Sequence, residues 1–291
     1  VNPPDAADGA RAGPSWFRQA IACEAVSFFL PFEGVQLHYR CWNADEAGKP
    51  ALLFLHGYRG HCRWWDFIAP FFTERFRVAA LDFSGMGDSG WRPAYALRQH
   101  SAEIGAVIRH AGLAPATVVG HSYGGSRLLR ACADGVAGIG HAIVLDSFVN
   151  FPDRDPVRSQ EPLGRRTPYP DLATALSRFR LIPPQAAEPW LFDYVARHSL
   201  KAAEGGWQWK FDPALPFGAP ELDGPELLQR ITVPVSYICG ERSAVVDAAR
   251  ARRIAGQLAR GRGPVILPQA GHHLMLDQPL ALVAALRALL A

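Results

Sequence analysis

The chain has 291 residues, 49% of them hydrophobic and 20% charged, with a formal net charge of +3. That is enough apolar side chain for one large core or two small ones, which excludes a wholly disordered chain. The near-balanced charge, with no dense Lys/Arg block, leaves no footprint for nucleic acid, and no apolar run reaches the roughly 18 residues of a membrane span.

Residues 1 to about 15 are rich in Pro, Gly, Ala and Asp and read as a loose arm without the charged-then-apolar order of a signal peptide. In "AVSFFLPFEGVQLHYRCW" two apolar stretches flank a glycine-containing turn, the pattern of an antiparallel hairpin. Ala51 to Leu55 is a short solid run ending in "HGYRG", as expected of a strand buried on both faces of a parallel sheet. The theme recurs in "FRVAALDFSGMGDSG", "ATVVGHSYGG", "HAIVLDSF", "VPVSYICGERS" and "GPVILPQAGHH". Helix-like segments fall at Tyr95 to His110, Ser126 to Ala133, Ala244 to Ala259 and Pro279 to Leu290. Strands alternating with helices imply βαβ units and a mostly parallel sheet, which places ligands at the carboxyl ends of the strands. His56, Asp82, Ser122 and Asp146 collect at those ends.

The alternation breaks between about Asn150 and Gly224, a proline- and aromatic-rich interval far longer than the usual connection of about 4–6 residues. It reads as a cap, giving a core of residues 1–149, a cap of 150–225 and a second core part of 226–291. The cysteines stand at 23, 41, 62, 132 and 239, odd in number and without a CxxC pair. A disulfide framework or zinc knuckle is therefore not expected, and a reduced, cytoplasmic protein is.

"GHSYG", Gly120 to Gly124, matches G-x-S-x-G, with a strand-like run before it and a helix-like run after. That context puts a serine on a tight strand-to-helix turn with its oxygen exposed above the sheet. A serine hydroxyl needs a base, a group that orients the base, and donors for the developing oxyanion. Taken together, "LHGYRG", "DFSGMGDSG", "GHSYGG" and "AGHHLMLDQP", in that order, resemble the α/β-hydrolase fold proteins, in particular the capped esterases and C–C hydrolases, over the chain from about Trp16 to its end.

The resemblance implies a mostly parallel eight-stranded sheet flanked by helices, with an inserted helical cap. It implies Ser122 as nucleophile, the histidine directly after the glycine, His272, as base, and backbone N–H groups of Tyr58 and Tyr123 as oxyanion donors. His56 is expected to brace its loop, and Asp82 and Asp88 to hold theirs. Serine at the elbow argues against the epoxide-hydrolase and dehalogenase branches, which place an aspartate there. The acid departs from the pattern: its usual position, after the strand that follows the cap, reads Ser243. Asp146 is the preferred substitute, ahead of Asp247 and Glu241, and a dyad without an acid is the remaining option.

Of the cap aromatics Trp190, Phe192, Trp207, Trp209 and Phe211, most are expected to build the cap's own core and one or two to face Ser122 as a pocket wall. Trp64 and Trp65 are expected to open a helix and pack on the cap or the arm, and Arg154, Arg158, Arg165 and Arg166 to be solvated. No cofactor is expected, and no metal, because the adjacent pair His272 and His273 lacks the usual ligand spacing. The expected reaction is hydrolysis of a small or medium carboxylic ester through an acyl-enzyme. The alternatives are cleavage of a C–C bond, lactone or amide, or ligand binding without catalysis.

Overall fold

The computed structural model describes residues 13–96, 98–151, 167–216 and 224–291. A helix, α1 (Ser15–Ala22), precedes the hairpin of β1 (Val26–Phe32) and β2 (Val35–Trp42). Its two turn residues, Glu33 and Gly34, both have positive φ, 45° and 82°, the conformation that lets a two-residue turn follow the strand twist. Then come β3 (Ala51–Leu55), β4 (Arg77–Asp82), α2 (Gln99–His110), β5 (Ala116–His121), α3 (Tyr123–Ala133) and β6 (Ile139–Leu145). The described part of the excursion that follows holds α4 (Leu172–Leu176), α5 (Pro189–His198), an antiparallel hairpin of β7 (Leu200–Ala203) and β8 (Gly206–Trp209), and α6 (Gly224–Gln229). The chain then returns as β9 (Val235–Gly240), α7 (Ala248–Gln257), β10 (Gly261–Leu267), α8 (Leu274–Asp277) and α9 (Pro279–Leu289).

The eight-stranded sheet has the order β1-β2-β4-β3-β5-β6-β9-β10, and from β4 to β10 every neighbour is parallel. Because side chains alternate across a strand, the solid apolar runs serve two cores. Leu53, Leu55, Val118 and Val144 face α2 and α3, with Ile104, Val107, Leu128 and Leu129. Leu52, Phe54, Val119 and Ile143 join the other core, with Phe17 of α1, Leu191 of α5 and Leu282 of α9.

Three boundaries differ from expectation for local reasons. Helix α2 starts at Gln99 rather than Tyr95, whose hydroxyl is tied to Asp212 Oδ2 at 2.7 Å. Helix α7 starts at Ala248, because Ser243 Oγ takes the N–H groups of Val245 and Val246 and Asp247 caps the helix by accepting from Arg250 N at 2.7 Å. Cys62–Trp65 forms only a short 3₁₀ turn. Its Trp65 stacks on Phe54 of the sheet, ring centroids 4.7 Å apart, and Trp64 faces His273 at 5.5 Å; both also belong to the core shared with Phe17 of α1 and with Leu191 and Tyr194 of α5. The cap arginines 154, 158, 165 and 166 lie outside the described residues. Among the described residues no helix is long and apolar enough to cross a membrane, and all five cysteines carry free thiols.

Candidate active site

The elbow is built from close approach. A Cβ on Gly120 would stand 2.7 Å from the Gly124 carbonyl oxygen, and one on Gly124 would stand 2.5 Å from that of His56. Side-chain atoms at either place would push β5, α3 and the loop after β3 apart. Ser122 sits between them at φ 51°, ψ −116°, a sparsely populated conformation held by its surroundings. Its N–H donates to Leu145 O at 2.9 Å, tying the turn to β6. Gly124→Ala is expected to lower stability by about 1–3 kcal/mol, the usual range for overpacking, seen as a lower urea midpoint with an unchanged slope.

Strand register brings the next groups alongside. His121 pairs with Leu145, so Ser122 and Asp146 leave neighbouring strand ends together. Asp146 also has a positive φ, 47°, which aspartate tolerates better than most residues. Its fully buried carboxylate accepts three hydrogen bonds: from Gly240 N at 2.8 Å, from Ser243 Oγ at 2.6 Å and from His272 Nδ1 at 2.8 Å. The proton on Nδ1 leaves Nε2 as an acceptor, and Ser122 Oγ donates to it at 3.0 Å. Asp247 and Glu241 are engaged elsewhere, Asp247 as a helix cap and Glu241 as acceptor for Gln269 N at 2.8 Å.

Ser243 is the residue that sequence reasoning passed over. It stands where the family acid is expected and donates to the carboxylate that reaches His272 instead. Its position at the vacated acid site was the available signal. Ser243→Ala is expected to cost about 1–3 kcal/mol of stability by removing a hydrogen bond to a buried charged group, measurable as a lower melting temperature, while Ser243→Thr retains most of it.

The His272 loop is held from two sides. His121 Nε2 donates to the His272 carbonyl at 2.9 Å. Gln185, from the excursion, accepts from His273 N at 2.8 Å and donates to His273 O at 3.2 Å and Asp277 Oδ2 at 3.0 Å. Neither His121 nor Gln185 stood out in the sequence, because their partners are distant in the chain.

Tyr123 is the first residue of α3, where backbone N–H groups have no acceptor within the helix. Its side chain turns into the core, the hydroxyl 2.6 Å from His100 Nδ1. The loop carrying Tyr58 passes close by, since a Cβ on Gly57 would come 3.5 Å from that of Ser122. Tyr58 anchors the loop by donating its hydroxyl to Leu215 O at 2.7 Å. His56 braces it by donating Nδ1–H to Gly57 O at 2.7 Å and accepting from Phe83 N at 3.2 Å. Burial holds the His56 imidazole below its ordinary range, which suits this neutral bridging role. Asp82 accepts from Cys62 N, Asp88 N and His38 Nδ1, and Asp88 pairs with Lys210, so both hold loops.

Trp190 packs on Phe17 and Trp16 of α1, at 4.5 and 5.6 Å, and Phe192 on Phe179 at 5.0 Å. Trp209 meets Tyr169 at 5.9 Å and stacks on Phe211 at 6.3 Å, and Trp207 lies partly buried against the same cluster, in β8. These rings form an apolar seam within the excursion and, through Trp190, between it and α1, because large aromatic surfaces bury best against one another. Trp209 and Phe211 also edge an open recess with Trp91 and Tyr169, whose lining includes none of Ser122, His272 and Asp146.

Two clusters hold metal-ligating atom types among the described residues: His121, His272 and His273, and His38, Cys62 and Asp82. In the second, His38 is hydrogen-bonded on both ring nitrogens, to Asp82 and Ser27, and burial pushes the Cys62 thiol well above its ordinary range, so it is a filled structural network. The first surrounds the Ser122 partner.

A family model described as "Alpha/beta hydrolase family" matches residues 52–286. The esterase Rv0045c of Mycobacterium tuberculosis is 25% identical over 251 residues, covering 83% of this chain and 83% of its own. The bifunctional esterase/perhydrolase DCH of Acinetobacter calcoaceticus is 26% identical over 261 residues, covering 82% of this chain and 90% of its own. The crystal structure of carboxylesterase CesB from Bacillus subtilis superposes with a TM-score of 0.69 at 21% identity, over 98% of this chain and 99% of that one. At that identity the structural likeness speaks for the fold.

Proposed function

Because the chain belongs to the α/β-hydrolase family, we propose that it is a serine hydrolase that cleaves a small or medium carboxylic ester, with Ser122 as nucleophile, His272 as general base and acid, and Asp146 as the group that orients His272. The observation that carries this reading is the unbroken hydrogen-bonded line from Asp146 Oδ1 through His272 to Ser122 Oγ, 2.8 and 3.0 Å. The named esterases among its relatives support the ester as the bond attacked.

Ser122 Oγ attacks the ester carbonyl while His272 Nε2 takes its proton. Negative charge then gathers on the carbonyl oxygen, and the backbone N–H groups of Tyr58 and Tyr123 stabilise it. Collapse of the tetrahedral intermediate breaks the C–O bond, and the proton held by His272 leaves with the alcohol. A water activated by His272 attacks the acyl-enzyme, releases the acid and restores Ser122. Asp146 keeps the Nδ1 proton in place throughout, so that Nε2 is the basic atom. Residues 150–225 serve as the cap over the strand ends, and Gln185 couples that cap to the His272 loop.

A fluorophosphonate probe tests the reading. The native protein should be labelled stoichiometrically, with the adduct on the peptide that carries Ser122, and should turn over p-nitrophenyl esters faster than a matched lactone, amide or β-diketone. Absence of labelling with the folded chain, alongside no ester turnover, would overturn it in favour of a non-catalytic binding protein. Preferential diketone cleavage would move the reaction to C–C bonds.

A further inference from the structure

We propose that His121, His272 and His273 form a site for one borderline divalent transition-metal ion, Zn²⁺ or Cu²⁺, and that occupancy reversibly silences the hydrolase by taking the ring nitrogen that Ser122 uses. The metal site stands on the geometry alone; the silencing rests on the reading of His272 as base.

Adjacent histidines do not make a ligand pair by spacing, but the fold adds a third imidazole from the elbow, 151 residues away in the chain by its contact with His272. One ring nitrogen from each of the three lies within 4.8 Å of one from each of the others. Two ligand nitrogens on a tetrahedral zinc lie about 3.3 Å apart at a metal–nitrogen distance of about 2.0–2.1 Å. Closing the remaining gap of at most about 1.5 Å takes side-chain rotation within the cluster.

The donors are ready for a cation. His273 is 6% exposed, and neither of its ring nitrogens has a hydrogen-bond partner. The carbonyls of Ile182 and Pro183 stand near enough to favour its charged form weakly, without aligning as acceptors. A buried ring with two unsatisfied nitrogens is costly unless something else pairs with it. Imidazole sets of this kind suit zinc and copper.

Asp146 completes the arrangement. A metal-bound histidine characteristically donates its other N–H to a carboxylate, which fixes the ring and raises its basicity. His272 already does so through Nδ1. Its Nε2, now held by Ser122 Oγ at 3.0 Å, is the atom left to bind the ion. Three protein ligands leave a fourth position for water or Ser122 Oγ, as in open zinc sites. With Nε2 ligated, no base remains to accept the Ser122 proton.

Chelator-treated protein should be titrated with ZnCl₂ by calorimetry and with CoCl₂ by visible absorption, with p-nitrophenyl ester turnover followed alongside. The expected results are one ion per chain, tetrahedral Co²⁺ bands, and inhibition that tracks occupancy and is reversed by EDTA. His273→Gln should weaken the ion by at least about tenfold in calorimetry and raise the inhibitory concentration by the same factor, relative to that variant's own uninhibited rate. His121→Gln, checked for folding by circular dichroism, should also weaken binding, whereas Cys62→Ser should not. No stoichiometric binding, or binding unchanged in both histidine variants, or binding lost in Cys62→Ser, would overturn the site. Should ester turnover be absent altogether, calorimetry and the Co²⁺ spectrum still report on the cluster, so failure of the catalytic reading and failure of the metal site are separable.

Discussion

Ser122→Ala is expected to lower ester turnover by about 10⁶-fold, the scale seen when the nucleophile of a serine hydrolase is removed, and to abolish fluorophosphonate labelling. In the proposed mechanism the hydroxyl oxygen forms the acyl bond, and alanine offers nothing in its place. Residual turnover of about 10³–10⁴ over water should survive, from the oxyanion donors and substrate binding. The fold should survive as well. Ser122 helps hold the elbow through its backbone N–H to Leu145 O, which alanine keeps, and the strained φ of 51° is imposed by glycines 120 and 124 and their neighbours. Initial rates together with a far-ultraviolet melt check both halves. Near-native turnover in a labelling-negative variant would remove Ser122 from the chemistry.

Asp146→Asn is expected to reduce turnover by about 10⁴-fold, as when a triad aspartate loses its charge while keeping its shape. The carboxylate accepts from three donors, Gly240 N, Ser243 Oγ and His272 Nδ1. An amide has one oxygen, and its NH₂ group must face at least one of those donors. If the NH₂ faces His272, the imidazole is driven to the tautomer with its proton on Nε2, which cannot accept from Ser122. If it faces Gly240, a buried donor is left opposite a donor and stability falls instead. The first orientation breaks the hydrogen-bonded line; the second keeps it but removes the negative charge that stabilises the imidazolium. Asp247→Asn is the control, because asparagine caps a helix about as well as aspartate and Asp247 caps α7. Steady-state kinetics on both variants decide the matter. A severe loss in Asp247→Asn with Asp146→Asn unaffected would reassign the acid.

Much of this architecture is legible in local pattern. Solid runs such as Ala51 to Leu55 and Ala116 to His121 announce strands buried on both faces, since each must feed two cores. The glycines around Ser122 announce a crowded turn, because Gly120 meets the backbone of Gly124 and Gly125 only a few residues on. The aromatics of the excursion were less readable. Trp190 carries no local sign that its partner is Phe17, at the other end of the chain, and only packing decides whether an aromatic ring lines a cavity or fills a seam. The beginnings of α2 and α7 were misplaced for a related reason, since side-chain hydrogen bonds of Tyr95, Ser243 and Asp247 override helix propensity there.

The sequence by itself determined the strand–helix alternation, the elbow at Ser122 and the histidine loop near the carboxyl end, because each is encoded by residues close together in the chain. Only the tertiary structure decided which carboxylate meets His272, what Ser243 does at the vacated acid position, and that His121 joins His272 and His273. Those outcomes depend on β5, β6 and β9 lying side by side, and on loops from distant parts of the chain converging over one sheet edge. The energy of such contacts is set by distance and burial, and neither is a property of any short stretch of sequence.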